Sequence, residues 1–157
     1  MRNIVAKLAI GVAITTVGMF GADNTLGTWK YNAGKSKSNA GASPITNLTV
    51  MRDAADGGAK ISAKGERADG SKIDTITTAK YDGKAVAVTG TGLAWDTNAI
   101  KQVNANTLTE KRSTKGGKYH ATVRTVVSAD GKTMTSTSKG TNADGKAFTA
   151  VAVFDKQ

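Results

Sequence analysis

From residue 23 onward the chain alternates apolar and polar side chains in short runs, each followed by a glycine-centred break. Between Lys118 and Ser128 the side chains of Tyr119, Ala121, Val123, Thr125 and Val127 share one face of an extended segment, while His120, Thr122, Arg124 and Val126 share the other. The period is two rather than 3.6, which predicts strands. Ten are expected: Leu26–Asn32, Ile45–Arg52, Ala59–Arg67, Ser71–Tyr81, Ala85–Thr89, Ala99–Val103, Thr107–Thr114, Lys118–Ser128, Thr133–Lys139 and Lys146–Asp155. Thr, Val and Ile recur in them, as a pleated, half-buried surface favours. The last run sets Phe148, Ala150, Ala152 and Phe154 against Thr149, Val151 and Val153, so neither face is charged and a central or seam position is predicted.

The breaks carry the turn chemistry. Asp69-Gly70, Asp82-Gly83, Asp130-Gly131 and Asp144-Gly145 are expected as type I′ or related hairpin turns, because Gly accepts the positive φ that such turns need and Asp tolerates it. Successive hairpins make an antiparallel meander. One with this many strands must close on itself or split into two sheets to lose its edges, so an up-and-down β-barrel is the simplest fold and a sandwich the competitor. Ala33 to Pro44, rich in Gly, Ser, Asn and Lys without apolar periodicity, is expected as a mobile loop.

The first residues follow another pattern. Arg2 and Lys7 precede the uncharged, mostly apolar run Leu8 to Phe20, which has the length of a signal-peptide core and is short for a membrane span. The expected organisation is an N-terminal signal helix in a leader over residues 1–22, an exported barrel domain over 23–157, and a periplasmic or secreted address. Retention as an uncleaved anchor is the alternative. The chain has no cysteine, which excludes disulfides, thiolate metal sites and lipidation of a leader cysteine. Its formal charge of +10 becomes +8 without Arg2 and Lys7. The lysines are spread over nearly every strand and turn, as solvated faces and guarded sheet edges require, so a weak anionic surface contact is expected, and an envelope interaction protein whose basic exterior touches acidic polymers or anionic lipid surfaces is the alternative function.

Near the start of the domain, Leu26-Gly27-Thr28-Trp29-Lys30-Tyr31 resembles the opening strand of fatty-acid-binding proteins and the Gly-x-Trp signature of lipocalins. Val151-Ala152-Val153-Phe154-Asp155-Lys156 resembles their closing strand. With the Lys35-Ser36-Lys37 loop and the Asp-Gly-Lys turns, the layout is most similar to exported lipocalin-like proteins of soil bacteria. The resemblance implies a calycin barrel that carries a small apolar or amphipathic ligand without catalysing a reaction. It also implies that Gly27 bends the first strand and Trp29 plugs the barrel base. Two departures stand out: the Arg-x-Tyr pair that holds a carboxylate on the last strand of fatty-acid-binding proteins is matched by Ala152 and Phe154, and the helical pair after their first strand has no counterpart.

The chemistry-bearing residues are few. His120 is the only histidine, and Glu66 and Glu110 are the only glutamates. Strand alternation puts His120 on the outward face with Arg124, away from any nucleophile, so no catalytic residue is assigned. The aspartates sit mostly in turns, which provides no metal site, and no cofactor motif is present. Scattered aromatics argue against nucleic acid. The small Ala, Thr and Ser at alternating positions leave room inside a barrel. Ligand contacts are therefore expected from Tyr31, Tyr81 and Trp95, with Arg112 and Arg124 as the guanidinium groups for an acidic head.

Overall fold

The computed structural model of the chain describes residues 21–157, so the expected leader and its signal helix lie almost wholly outside the described residues. The strands are β1 (Gly27–Tyr31), β2 (Lys37–Ser38), β3 (Ile45–Ala55), β4 (Gly58–Arg67), β5 (Lys72–Lys80), β6 (Asp82–Ala87), β7 (Thr89–Thr91), β8 (Thr97–Asn104), β9 (Thr107–Ser113), β10 (His120–Val127), β11 (Thr133–Thr141) and β12 (Ala147–Lys156). Every predicted run is a strand, and β2 and β7 are additional. All pair antiparallel in one sheet of order β6-β8-β9-β10-β11-β12-β1-β3-β4-β5-β7, with β2 also paired to β12.

The two ends of that order meet. β6 and β7 are halves of one extended segment interrupted at Val88; the first half bonds to β8, with Val86 opposite Asn98, and the second to β5, with Gly90 opposite Thr75. Across the gap that remains, the Thr77 hydroxyl donates to the Ala87 carbonyl at 2.7 Å. The molecule is thus an antiparallel barrel closed except for this seam, rather than a two-sheet sandwich. β12 runs between β11 on one side and β1 and β2 on the other, the central place its uncharged faces call for.

The N-terminal segment before β1 closes one end. Asn24 N–H donates to the Ala105 carbonyl at 2.8 Å, and the indole N–H of Trp29 donates to the Thr25 carbonyl at 2.8 Å. Trp29 is fully buried against Leu48, Ala63, Ile73, Val127, Met134 and Phe154. Gly27 has φ +118°, a backbone that side-chain-bearing residues rarely adopt, and there the strand turns to carry Trp29 inward.

Two expectations are corrected. Among the described residues no non-glycine residue has positive φ, so Asp69-Gly70, Asp130-Gly131 and Asp144-Gly145 take a related hairpin form rather than type I′, while Asp82-Gly83 is no hairpin turn but opens β6, which pairs with β8. Gly70 N–H donates to the Arg67 carbonyl and Arg67 N–H to the Ser71 carbonyl, both at 3.0 Å, which is a type I turn followed by a left-handed glycine bulge. Asp69 stays right-handed because its carboxylate accepts from the Ser71 backbone N–H at 3.0 Å and from the Ser71 hydroxyl at 2.7 Å. The stretch 33–44 is not a mobile loop either: it forms a 3-10 turn over Ala33–Lys35 and then β2. Asn32 accepts from Lys35 N–H at 3.1 Å and donates to Asp155 at 2.7 Å, Ser36 Oγ accepts from Val153 N–H at 2.9 Å, and Asn39 Oδ1 accepts from Thr149 N–H at 2.8 Å. The polar residues that suggested flexibility are the ones that tie the segment down.

Candidate functional site

Strand alternation sends Leu48, Val50 and Arg52 inward from β3, and Leu108, Glu110 and Arg112 inward from β9. Between them lies a cavity of about 120 Å³. A single water needs roughly 10–15 Å³ of such space, so the chamber exceeds what one solvent molecule fills. Its apolar walls are Leu48, Val50, Ile61, Leu93, Met134 and Phe154; its polar side is formed by Arg52, Asn98, Glu110, Arg112, Thr125 and Ser136.

Glu110 organises the polar side. Only 3% of its side chain is exposed, and its Oε2 accepts from Arg112 Nε at 3.0 Å, from Arg112 Nη2 at 2.8 Å and from Asn98 Nδ2 at 3.1 Å. Its Oε1 accepts from the Thr125 hydroxyl at 3.4 Å, and Thr125 bonds Ser136 at 2.8 Å. Burial pushes the Glu110 carboxyl up, but the charges of Arg112 and Arg52 together with these hydrogen bonds outweigh it and hold the group below the usual carboxylate range. Glu110 is therefore ionised at neutral pH.

Arg52 has no such partner. It is 5% exposed, its Nη2 donates to the Tyr81 hydroxyl at 3.3 Å, and no carboxylate lies within salt-bridge distance among the described residues. Among the described residues its buried Nε has no hydrogen-bond acceptor and the buried Asn98 Oδ1 has no donor. Two guanidinium groups face one buried carboxylate, and the Asp23 carboxylate reaches Arg52 only through the Tyr81 hydroxyl. A buried charge without its counter-charge costs several kcal/mol unless something else compensates it.

Toward the opposite end from the N-terminal segment, Trp95 lines the chamber and begins an aromatic stack. The Arg112 guanidinium lies 4.4 Å from the Trp95 ring centroid; Trp95 stacks on Tyr119 at 5.8 Å, and Tyr119 on Phe148 at 5.7 Å. Arg112 is thereby fixed by Glu110 at one edge and by an aromatic face below, which leaves little freedom for the guanidinium plane.

Of the five expected contact residues, Trp95 and Arg112 line the cavity. Arg124 does not: it is exposed on the outer face of β10, since Val123 and Thr125 take the inward positions. Tyr31 is half-buried and packs edge-on against Phe154 at 5.6 Å, away from the chamber. Tyr81 is buried, but its hydroxyl ties Arg52 to Asp23, donating to Asp23 at 2.7 Å, so it positions Arg52 rather than lining the cavity. Arg52, Asn98 and Glu110 were missed. Their signal is in the alternation itself: a charged residue in step with Leu48 and Val50, and another in step with Leu108, points inward with its apolar neighbours.

Fold and chamber define a nearly closed antiparallel β-barrel with a partly polar interior cavity. No protein-family model matches the chain, and neither does any curated protein. Among solved structures, EF1p2_mFAP2b bound to DFHBI is similar over 85% of this chain and 94% of its own, with 12% sequence identity and a TM-score of 0.48. Among the described residues no three His, Cys, Asp or Glu side chains converge as a metal site would need.

Proposed function

We propose that this protein is a non-enzymatic binder of a small amphipathic molecule, held inside the barrel with its apolar body against Leu48, Val50, Met134 and Phe154 and an anionic head at Arg52. The observation that carries the reading is the buried Arg52 guanidinium, whose Nε has no partner among the described residues and which makes no direct ion pair with Glu110 or Asp23. An anionic head supplies the missing acceptor and a direct counter-charge together, and charge-assisted bonds to guanidinium are among the stronger polar contacts. Asn98 Oδ1, the second unpartnered atom, accepts a hydroxyl or amide N–H on the same head. Export to the cell envelope, periplasmic or secreted, belongs to this reading and rests on the charged-then-apolar N-terminus.

The test is native mass spectrometry of protein purified without detergent, compared with its denatured mass, followed by calorimetric titration of the stripped protein with octanoate and with octanol. Retained cargo, or octanoate binding at least about tenfold tighter than octanol and weakened to the octanol level by Arg52→Met, supports the reading. No cargo and no affinity for either probe would refute it.

A further inference from the structure

The barrel exterior is electrostatically two-sided. On the wall formed by β3, β4 and β5, cations stand beside acids: Lys64 pairs with Asp74 at 3.9 Å, Lys80 with Asp56 at 3.1 Å, and Lys72 with Glu66, while Asp53 lies directly across from Lys60. The wall formed by β8 to β11 is built otherwise. Lys101 is opposite Thr109, Thr109 opposite Arg124, and Arg124 opposite Thr137; one step along the strands, Lys111 is opposite Thr122 and Thr122 opposite Lys139. Thr137 is opposite Val151, which is opposite Lys37.

The result is a zigzag with one cation per strand, Lys101, Lys111, Arg124 and Lys139, continued past β12 by Lys37. All five are exposed, and none makes an ion pair or side-chain hydrogen bond with a described residue. Threonines fill the positions between, and the only glutamate on these strands, Glu110, points inward. Diagonal neighbours on a sheet are about 7–8 Å apart. Like charges at that distance repel mildly; Asp82 stands directly across from Lys101 and is itself paired with Lys84, whereas Lys111, Arg124, Lys139 and Lys37 have no acid opposite them.

We propose that this stripe binds a linear acidic polymer whose regularly spaced carboxylates or phosphates lie along the cations from β8 to β2. A flexible chain can follow the convex wall strand by strand. A planar lipid surface would touch only its crest, and the wall presents no aromatic residue to anchor in a bilayer interface. The absence of aromatics on the stripe likewise removes the base-stacking on which single-stranded nucleic-acid binders rely.

The experiment measures binding of the purified protein to fluorescently labelled polygalacturonate and to polyphosphate by anisotropy, and to vesicles of three parts phosphatidylcholine to one part phosphatidylglycerol by co-sedimentation. Two triple variants carry the same change in net charge: Lys111→Gln/Arg124→Gln/Lys139→Gln on the stripe, and Lys64→Gln/Lys72→Gln/Lys80→Gln on the paired wall. The stripe variant is expected to lose about tenfold in polymer affinity and the control under about threefold, as loss of three ordinary exposed ion pairs implies. Binding should fade steeply with salt, and preference for one polymer identifies the anion. Equal losses in the two variants, binding to vesicles but neither polymer, or no polymer binding at low salt would each overturn the proposal.

Discussion

Replacing Glu110 by Gln is the most direct perturbation of the interior cluster. The amide keeps the shape and can still accept a hydrogen bond from Arg112, but it leaves Arg52 and Arg112 as two like charges with no carboxylate in direct contact, Asp23 reaching Arg52 only through the Tyr81 hydroxyl. Glu110 is 3% exposed and takes three bonds on Oε2 within 3.1 Å, so solvent cannot easily replace what is lost. Removing one partner from such a buried arrangement costs roughly 3–5 kcal/mol. For a domain of this size each kcal/mol moves the melting point by roughly 3–4 °C, so a drop of roughly 9–20 °C is expected. Urea unfolding followed by tryptophan fluorescence, with thermal melts alongside, gives both quantities. Glu110→Gln/Arg112→Met should recover much of the loss, because it removes the charge as well as its partner. A single variant within about 1 kcal/mol of the parent would refute the reasoning, since it would mean the guanidinium groups are effectively solvated.

Three further outcomes follow from the same geometry. Arg52→Met should leave the empty protein as stable as the parent or more so, because it removes a buried charge whose Nε has no acceptor; a loss above about 2 kcal/mol in urea unfolding would show that its attraction to Glu110 dominates. Because Glu110 is held below its unfolded value of about 4.3, its contribution is full above that pH and lost as pH falls through the folded value; the stability gap between the parent and Glu110→Gln should therefore shrink in acid, and a gap that stays constant from neutrality down to about pH 2 would count against it. Trp29→Ala should cost roughly 3–5 kcal/mol, since the fully buried indole leaves both a large cavity and an unpartnered Thr25 carbonyl, readable as a lower urea midpoint.

Period-two alternation determined most of this protein from the chain alone. It placed ten strands, set the outward face of β10 with His120 and Arg124, and put β12 at the centre because no face of it could stay in water. Those are local consequences of side-chain polarity on an extended backbone, and they need no knowledge of neighbours. The closing strand was beyond that reasoning, because the switch at Val88 from β8 to β5 depends on where two distant strands arrive. So was the order within 33–44, where Asn32, Ser36 and Asn39 find partners more than one hundred residues away on β12. The site divided in the same way. That Glu110 and Arg52 face inward was legible from their step with Leu108, Leu48 and Val50. That Glu110 pairs with Arg112 while Arg52 is left without an acceptor was not, because charge compensation in a low-dielectric interior depends on distances between strands, which only the closed barrel sets.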